Sequence, residues 1–456
     1  MLDTNGAIRV ERDQLMIEDI AAQDLAKEFG TPIFVISENQ LRQNARRIKK
    51  AFQDQWPEGQ VDVYPAFKAA PYIAIRRILS EEGYGCDTFG PSELEGALRG
   101  QTNPQKLSVN GSLKSRKVIA RGIEVGARIV IDALREVSLC VEEARRLGKA
   151  ARVMLRLKPD LSKLDITSDF APLPVGELTQ RIRYGLPYEE AVAAAKIIAA
   201  HNETRLIGFH CHIGRQSTDL KLWAGLVEHM VDMSVDVCTE AGLTGYRPDH
   251  LDFGGGFAPP RDFDTDGPRS GMKAPAIESY AQAMMSALRS TLDRHQLSKE
   301  GLTVEIEPGR SLHADTGLHL TEVANIKSSK RFGHQVWAEL DTSEVFLGTF
   351  AMDPSTRLFQ YLIANKANTP ATQCIDLVGK SCNGEMILLD ADVPDVNAGD
   401  IVALMDTGAY IESLSCNFNA MPRPGTVLVN ARSASWIRQP ETIQQVYARD
   451  SVPDWL

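Results

Sequence analysis

The sequence lacks the features that mark membrane, secreted and nucleic-acid-binding chains. No stretch reaches the roughly 18 uncharged apolar residues that a membrane-spanning helix needs. The opening segment, MLDTNGAIRVERDQLMIEDI, carries charges where a secretory leader needs an apolar run. The seven cysteines, Cys86, Cys140, Cys211, Cys238, Cys374, Cys382 and Cys416, are odd in number, scattered and without a CxxC pair. They suit neither a disulfide framework nor a zinc cluster, and point to a reducing compartment. Basic charge is also in deficit: 50 Lys and Arg stand against 60 Asp and Glu, a formal net charge of -10. Such a surface disfavours nucleic acid and anionic lipid, while leaving room for a local basic site that takes a small phosphorylated molecule. The expected setting is cytoplasmic, with no nucleic-acid and no membrane partner.

What is present is ordinary globular composition, 43% hydrophobic and 24% charged over 456 residues. That length suits two or three domains, or one large barrel plus a smaller unit. Strand-like runs cover Val61–Phe67, Tyr84–Thr88, Lys106–Asn110, Arg128–Asp132, Arg152–Leu157, Arg205–Ile213, His250–Phe253 and Thr303–Glu307, with helical patterns between most of them. In one such helix Leu222, Leu226, Met230, Met233 and Val237 recur at spacings of four, four, three and four, which predicts one buried face. Ser37 and Gln40 have capping-box spacing and open a helix to about Phe52. Eight strands alternating with helices predict an α/β fold, a (β/α)8 barrel. Segments 158–183 and 258–275 lack periodicity and read as barrel loops. Past about residue 318, short strand-like runs continue without long helices, which predicts a C-terminal, mostly antiparallel β domain. The expected division is 36–317 for the barrel and 1–35 with 318–456 for the β domain, the first thirty or so residues adding a strand to the latter.

Barrel chemistry gathers at the C-terminal ends of the strands. Those ends read Lys68, Asp87, Asn110, Asp132, Arg156, His210 with His212, Gly254–Gly256, and Glu307 with Arg310. A lysine emerging into a partly desolvated mouth can act as a neutral amine and form a Schiff base, although Lys68 taken alone better suits a surface lysine at a strand end. Gly254-Gly255-Gly256 lets backbone N–H groups approach an anion; glycines alone also make a plain tight turn, but this triplet follows the seventh strand, where barrel phosphate sites are common. Arg310 is placed to complete such a site. His210-Cys211-His212 puts both imidazoles on one side of a strand, which suits a metal chelate or one buried and one pocket-lining histidine. The later strand ends offer glycine, glutamate and arginine in place of further ligands, so no metal is expected. Lys68, the glycine triplet with Arg310, Glu307 and His212 together supply the amine, phosphate cradle, ring-nitrogen partner and planar group that pyridoxal 5'-phosphate requires.

The sequence resembles the fold-type III pyridoxal-phosphate decarboxylases, the family of diaminopimelate and ornithine decarboxylases with an alanine-racemase-like barrel. The matching pieces are YPAFKAA at Lys68, CDTFGPSEL at Asp87, NGSLKS at 110–115, LRLKPD at Arg156, GFHCHIG at His212, LDFGGGF, EIEPGRS, SCNGE at Cys382 and DTGAY at Tyr410. They stand in family order over nearly the whole chain. The resemblance implies that Lys68 holds the cofactor as an internal aldimine, His212 stacks on its ring and Glu307 pairs with the pyridinium nitrogen. It implies that Gly255, Gly256, Arg310 and Tyr410 bind the phosphate, and that Asp87 and Arg156 orient Lys68 and the ring. Cys382 would protonate the substrate carbon from the partner subunit, so a head-to-tail homodimer with shared active sites is implied. Racemases of this barrel type carry an arginine where Glu307 stands; a carboxylate keeps the ring nitrogen protonated, which favours decarboxylation. Racemisation or other carbanion chemistry, and a non-catalytic regulatory homologue, are the alternatives; the presence of both Lys68 and Cys382 disfavours the last.

Four departures from the family pattern bear on the substrate. Ala70 stands where asparagine is common, and Arg215 replaces a serine of the phosphate site. Asn383 follows Cys382 where relatives carry an acid for the substrate's distal amino group, and an amide supplies no counter-charge. The segment after Asp341 lacks the arginine–proline pattern that binds diaminopimelate. Arg215, Asp341 and Asn383 are therefore expected to meet a small amino-acid substrate other than diaminopimelate, such as a D-amino acid or a siderophore or antibiotic pathway intermediate.

Overall fold

The computed structural model describes residues 6–166, 173–212, 217–243, 245–259, 274–331, 335–348 and 359–456. Two compact units are present, one holding Asn44–Pro260 and Lys273–Leu312, the other Met1–Gln43 and His313–Leu456.

In the first unit the strands Gln60–Val63, Cys86–Thr88, Leu107–Val109, Arg128–Ile131, Ala151–Arg156, Thr204–His210, His250–Asp252 and Thr303–Ile306 pair in parallel, each with its chain neighbour, and the eighth returns to the first. Between the first and second strands the Gly85 N–H donates to the Val63 carbonyl at 2.9 Å and Ala66 bridges Asp87 in parallel. The sheet is therefore a nearly closed (β/α)8 barrel, as the alternation predicts. Most strands stop one to four residues before the apolar runs do, because the chain turns into its βα loop. The first strand shows why: Pro65 has no N–H to continue the ladder. Lys68 consequently lies not at a strand end but in a 3-10 turn, Phe67–Ala69, closed by the Ala69 N–H on the Ala66 carbonyl.

The helix Leu220–Glu240 buries Leu222, Leu226, Met230, Met233 and Val237 on one face, as their spacing requires. Trp223 stacks on Phe257 at 4.6 Å, and Tyr280 closes edge-on against both. The Trp223 Nε1–H and the Tyr280 hydroxyl both donate to the Ser217 carbonyl, at 3.1 and 2.9 Å. These rings pin two helices around the chain as it leaves the glycine turn. Within segment 158–183 the described residues include a helix, Val175–Arg181, which periodicity alone does not reveal; Val175 anchors it against Leu161 and Leu222.

The second unit is built on one large, mostly antiparallel sheet. Its spine is the strand Gly317–Ser329, which pairs with Gln335–Leu340, Ile401–Met405 and Ile33–Ser37. Gln373–Val378 with Met386–Val393 and Thr426–Asn430 with Ser433–Arg438 extend it. The strand added from the N-terminal side is Ile33–Ser37, whose five residues are all buried. Residues 8–21 form a small three-stranded sheet of their own within this unit, with Ile8, Leu15 and Ile17 in one core with Leu318 and Leu320. Ser37 caps the following helix, Glu38–Gln55, its hydroxyl accepting the Gln40 N–H at 3.1 Å. Among the described residues no helix is long and apolar enough to cross a membrane.

Candidate active site

At the C-terminal side of the barrel, Glu307 follows the eighth strand and is buried. The Asn110 Nδ2 donates to its Oε1 at 3.2 Å, and the His210 Nε2 lies 3.4 Å from its Oε2. Burial, then the nearby charge of Asp87, pushes the Glu307 pKa up to about 8. Asp252, on the seventh strand, is likewise raised to about 8 by burial and by Glu307. Burial lowers His210 to about 4, so its ring is neutral near pH 7.

Deeper in the barrel, Arg128 is wholly buried beneath this layer. It donates to Asp252 at 2.7 Å and to Glu305, and stacks on the Tyr64 ring with its guanidinium carbon 4.0 Å from the centroid. Against the upward push of burial, Arg128 and the His250 ring hold Glu305 down at about 2. A buried cation is tolerated here because two carboxylates and an aromatic face compensate its desolvation.

The glycine turn rises from this floor. Asp252 accepts the Gly254 N–H at 2.9 Å, and the His212 Nδ1 accepts the Gly255 N–H at 3.0 Å. Gly254 and Gly256 take φ of 67° and 103°, left-handed conformations that disfavour a side chain. A Cβ on Gly255 would lie 1.9 Å from the Glu307 carbonyl oxygen. The glycine turn read from sequence thus follows the seventh strand, with its Gly255 N–H directed at the His212 imidazole beyond the neighbouring strand. Burial, with the cations Lys68 and Arg156 beside it, keeps His212 well below the ordinary histidine pKa.

Lys68 is exposed, and its charge is felt at Glu307, His212 and Glu93. Asp87 is buried, and its Oδ1 has no hydrogen-bond partner. Arg156 lies 3.6 Å from Asp132 and covers the Tyr184 ring at 4.7 Å. Arg310 opens the short helix Arg310–His313 directly after the eighth strand. Arg215 falls outside the described residues.

In the β unit Cys382 is exposed. Its N–H donates to the Asn419 Oδ1 at 3.1 Å, and the Asn419 amide reaches its sulfur at 3.2 Å. The Asn383 amide donates to the buried carboxylate of Glu344. Asp341 accepts the Thr321 hydroxyl and the Glu322 N–H, at 2.5 and 2.9 Å. Tyr410 holds a left-handed φ of 65°.

Sequence reasoning gave no role to Asp252, Arg128, Glu305 or Glu344. A two-residue alternation, Glu305 with Glu307 and Asp252 with Gly254, was the available signal. His210, Asp252 and Glu307 bring ligand atoms within 4.8 Å of one another, a spacing that would also suit a metal ion. Arg128 and the Gly254 N–H already serve Asp252, and Asn110 serves Glu307, so this floor is furnished with donors. That suits a hydrogen-bonding partner better than a cation.

The residues fit pyridoxal phosphate. An acid stands at the barrel floor, an amine and the unsatisfied Asp87 oxygen lie beside it, and a glycine turn closes against the eighth strand where no side chain would fit. Residues 38–314 match the family model described as pyridoxal-dependent decarboxylase, pyridoxal binding domain. The diaminopimelate decarboxylase of Pseudomonas aeruginosa is 30% identical over 446 residues, covering 96% of this chain and 97% of its own. That of Methanocaldococcus jannaschii is 28% identical over 459 residues, covering 99% and 98%. The crystal structure of the M. jannaschii enzyme in complex with L-lysine superposes with a TM-score of 0.87 at 27% identity, covering 99% of both chains. The chain belongs to the pyridoxal-phosphate-dependent decarboxylases of the diaminopimelate and ornithine decarboxylase family.

Proposed function

We propose that the chain catalyses α-decarboxylation of an amino acid, with Lys68 holding the cofactor and Cys382 returning a proton to the substrate carbon. The observation that carries this reading is the buried Glu307 carboxyl at the barrel floor, within reach of the charges of Lys68 and Arg156. Pyridoxal phosphate, when bound, supplies an electron sink for the pair of electrons that departing CO2 leaves behind. Glu307 would keep a proton on the ring nitrogen, which strengthens that sink. His212 would cover one ring face and exclude water. Gly256, Arg310 and Tyr410 would hold the phosphate, Gly255 would let the turn pass close to it with its own N–H on His212, and Asp87 and Arg156 would orient the lysine and the ring. Lys68→Ala is expected to lose the visible absorbance of the loaded protein. Cys382→Ala is expected to keep that absorbance and to slow or misdirect protonation.

The substrate proposed is an amino acid other than diaminopimelate. Position 383 offers an amide turned toward Glu344, and Arg215 and Asp341 flank the remaining departures from the pattern. A D-amino acid or a siderophore or antibiotic intermediate suits such a site. Diaminopimelate itself is the second reading, favoured by the relatives named for it. Measuring CO2 release over a panel of L- and D-amino acids that includes meso-diaminopimelate decides between them. Fastest release from another amino acid supports the proposal; fastest release from diaminopimelate overturns it. Loss of optical activity without CO2 would indicate racemisation.

A further inference from the structure

Asn110 and His210 flank Glu307 from the ends of the third and sixth barrel strands, and the family resemblance gives neither a role. The Asn110 Oδ1 accepts the Gly111 N–H at 3.1 Å, which fixes the orientation of the amide and turns its Nδ2 toward the Glu307 Oε1, 3.2 Å away. The His210 Nε2 lies 3.3 Å from that oxygen, 3.4 Å from the other and 3.3 Å from the Asn110 Nδ2. The ring is wholly buried and neutral, so it carries a single N–H. With that hydrogen on Nδ1, a buried donor would have no acceptor, because the His210 Nδ1 has no partner, and the Nε2 lone pair would face the carboxylate. With it on Nε2, each Glu307 oxygen receives a donor. An Nδ1–H with no acceptor costs more than the approach of the Nε2 to the Asn110 Nδ2, whose hydrogen is turned to the Glu307 Oε1, so the Nε2 tautomer is selected.

We infer that Asn110 and His210 are positioning residues for decarboxylation: their two neutral N–H groups clamp the Glu307 carboxylate and set the direction in which it meets the cofactor's ring nitrogen. This rests on reading Glu307 as the ring-nitrogen partner. The neutrality of the clamp matters. The charged groups acting on Glu307 are Asp87 and Asp252, which oppose its ionisation, and Lys68, Arg128 and Arg156, which favour it, with the His212 Nδ1 3.9 Å away. A cation in direct contact would satisfy the carboxylate and compete with the ring. Two neutral donors hold the carboxyl group aimed, and when it pairs with the ring they leave its charge for the pyridinium.

The test uses the full chain loaded with pyridoxal phosphate carrying nitrogen-15 in the ring. The ring-nitrogen chemical shift then reports protonation directly, with no substrate required. Wild type and His210→Gln, which retains a donor, are expected to hold the pyridinium form near neutral pH. His210→Phe and Asn110→Leu each remove one donor and are expected to lower the ring-nitrogen protonation constant by about tenfold or more, the scale of a lost hydrogen bond to a charged group, while the cofactor stays bound. Unchanged protonation in both overturns the clamp. Should either apolar variant fail to fold by circular dichroism, His210→Ala or Asn110→Ala replaces it: the same fall supports the clamp, and an unchanged constant overturns it. A wild-type chain that takes up the cofactor with a neutral ring nitrogen, or takes up none, fails at the earlier assignment of Glu307, and the clamp falls with it.

Discussion

Glu307 and Asp252 are acids whose folded pKa is raised, to about 8, by burial and then by a neighbouring carboxylate, Asp87 for the first and Glu307 for the second. Such groups favour the folded state most when protonated. Their contribution is full below the unfolded value, near 4.5 for Glu307, and is lost as pH climbs through about 8. In the cofactor-free chain, Glu307→Gln removes one of these titrations. The melting temperature of the variant minus that of wild type should therefore increase as pH rises across that window; a flat difference would contradict the burial penalty. Lys68, His212 and Glu307 were legible in the sequence because amine, imidazole and acid stand at or just beyond strand ends, where a purely structural barrel does not need them. Arg128, Asp252 and Glu305 were not. A charge inside an apolar strand reads as a solvent-facing position, and only the closure of the barrel brings Arg128 to partners 124 and 177 residues away.

For the strands and turns, the glycine triplet is the most constrained piece. A methyl group on Gly255 would press into the Glu307 carbonyl, 1.9 Å from where its Cβ would stand. Gly255→Ala should therefore lose about 1–3 kcal/mol in urea denaturation, the usual scale of overpacking, and weaken cofactor binding in a fluorescence titration. Unchanged values in both would mean that the turn is loose. All eight barrel strands were legible from apolar runs, but most of their C-terminal ends were not, because the apolar run continues into the βα loop. Pro65 marks one such end, and it moves Lys68 from strand to turn. The strand Ile33–Ser37 went unread because a continuous apolar run before a helix cap gives no alternation to identify it.

For the whole molecule, the two-part organisation followed from a change of rhythm near residue 318, and the family from an ordered set of motifs that no single segment carries. If Cys382 serves the partner's Lys68, mixing Lys68→Ala and Cys382→Ala proteins under exchanging conditions should restore up to about a quarter of wild-type CO2 release, from the hybrid sites of a two-fold dimer. No recovery despite verified exchange would place both residues in the service of one chain. The most direct check of the cofactor assignment is chemical: reduce the pyridoxal-phosphate-loaded protein with borohydride, digest it and map the pyridoxyl label by mass spectrometry. The label is predicted on the peptide carrying Lys68; an unlabelled Lys68, with the group on another lysine or on none, would contradict the site described here.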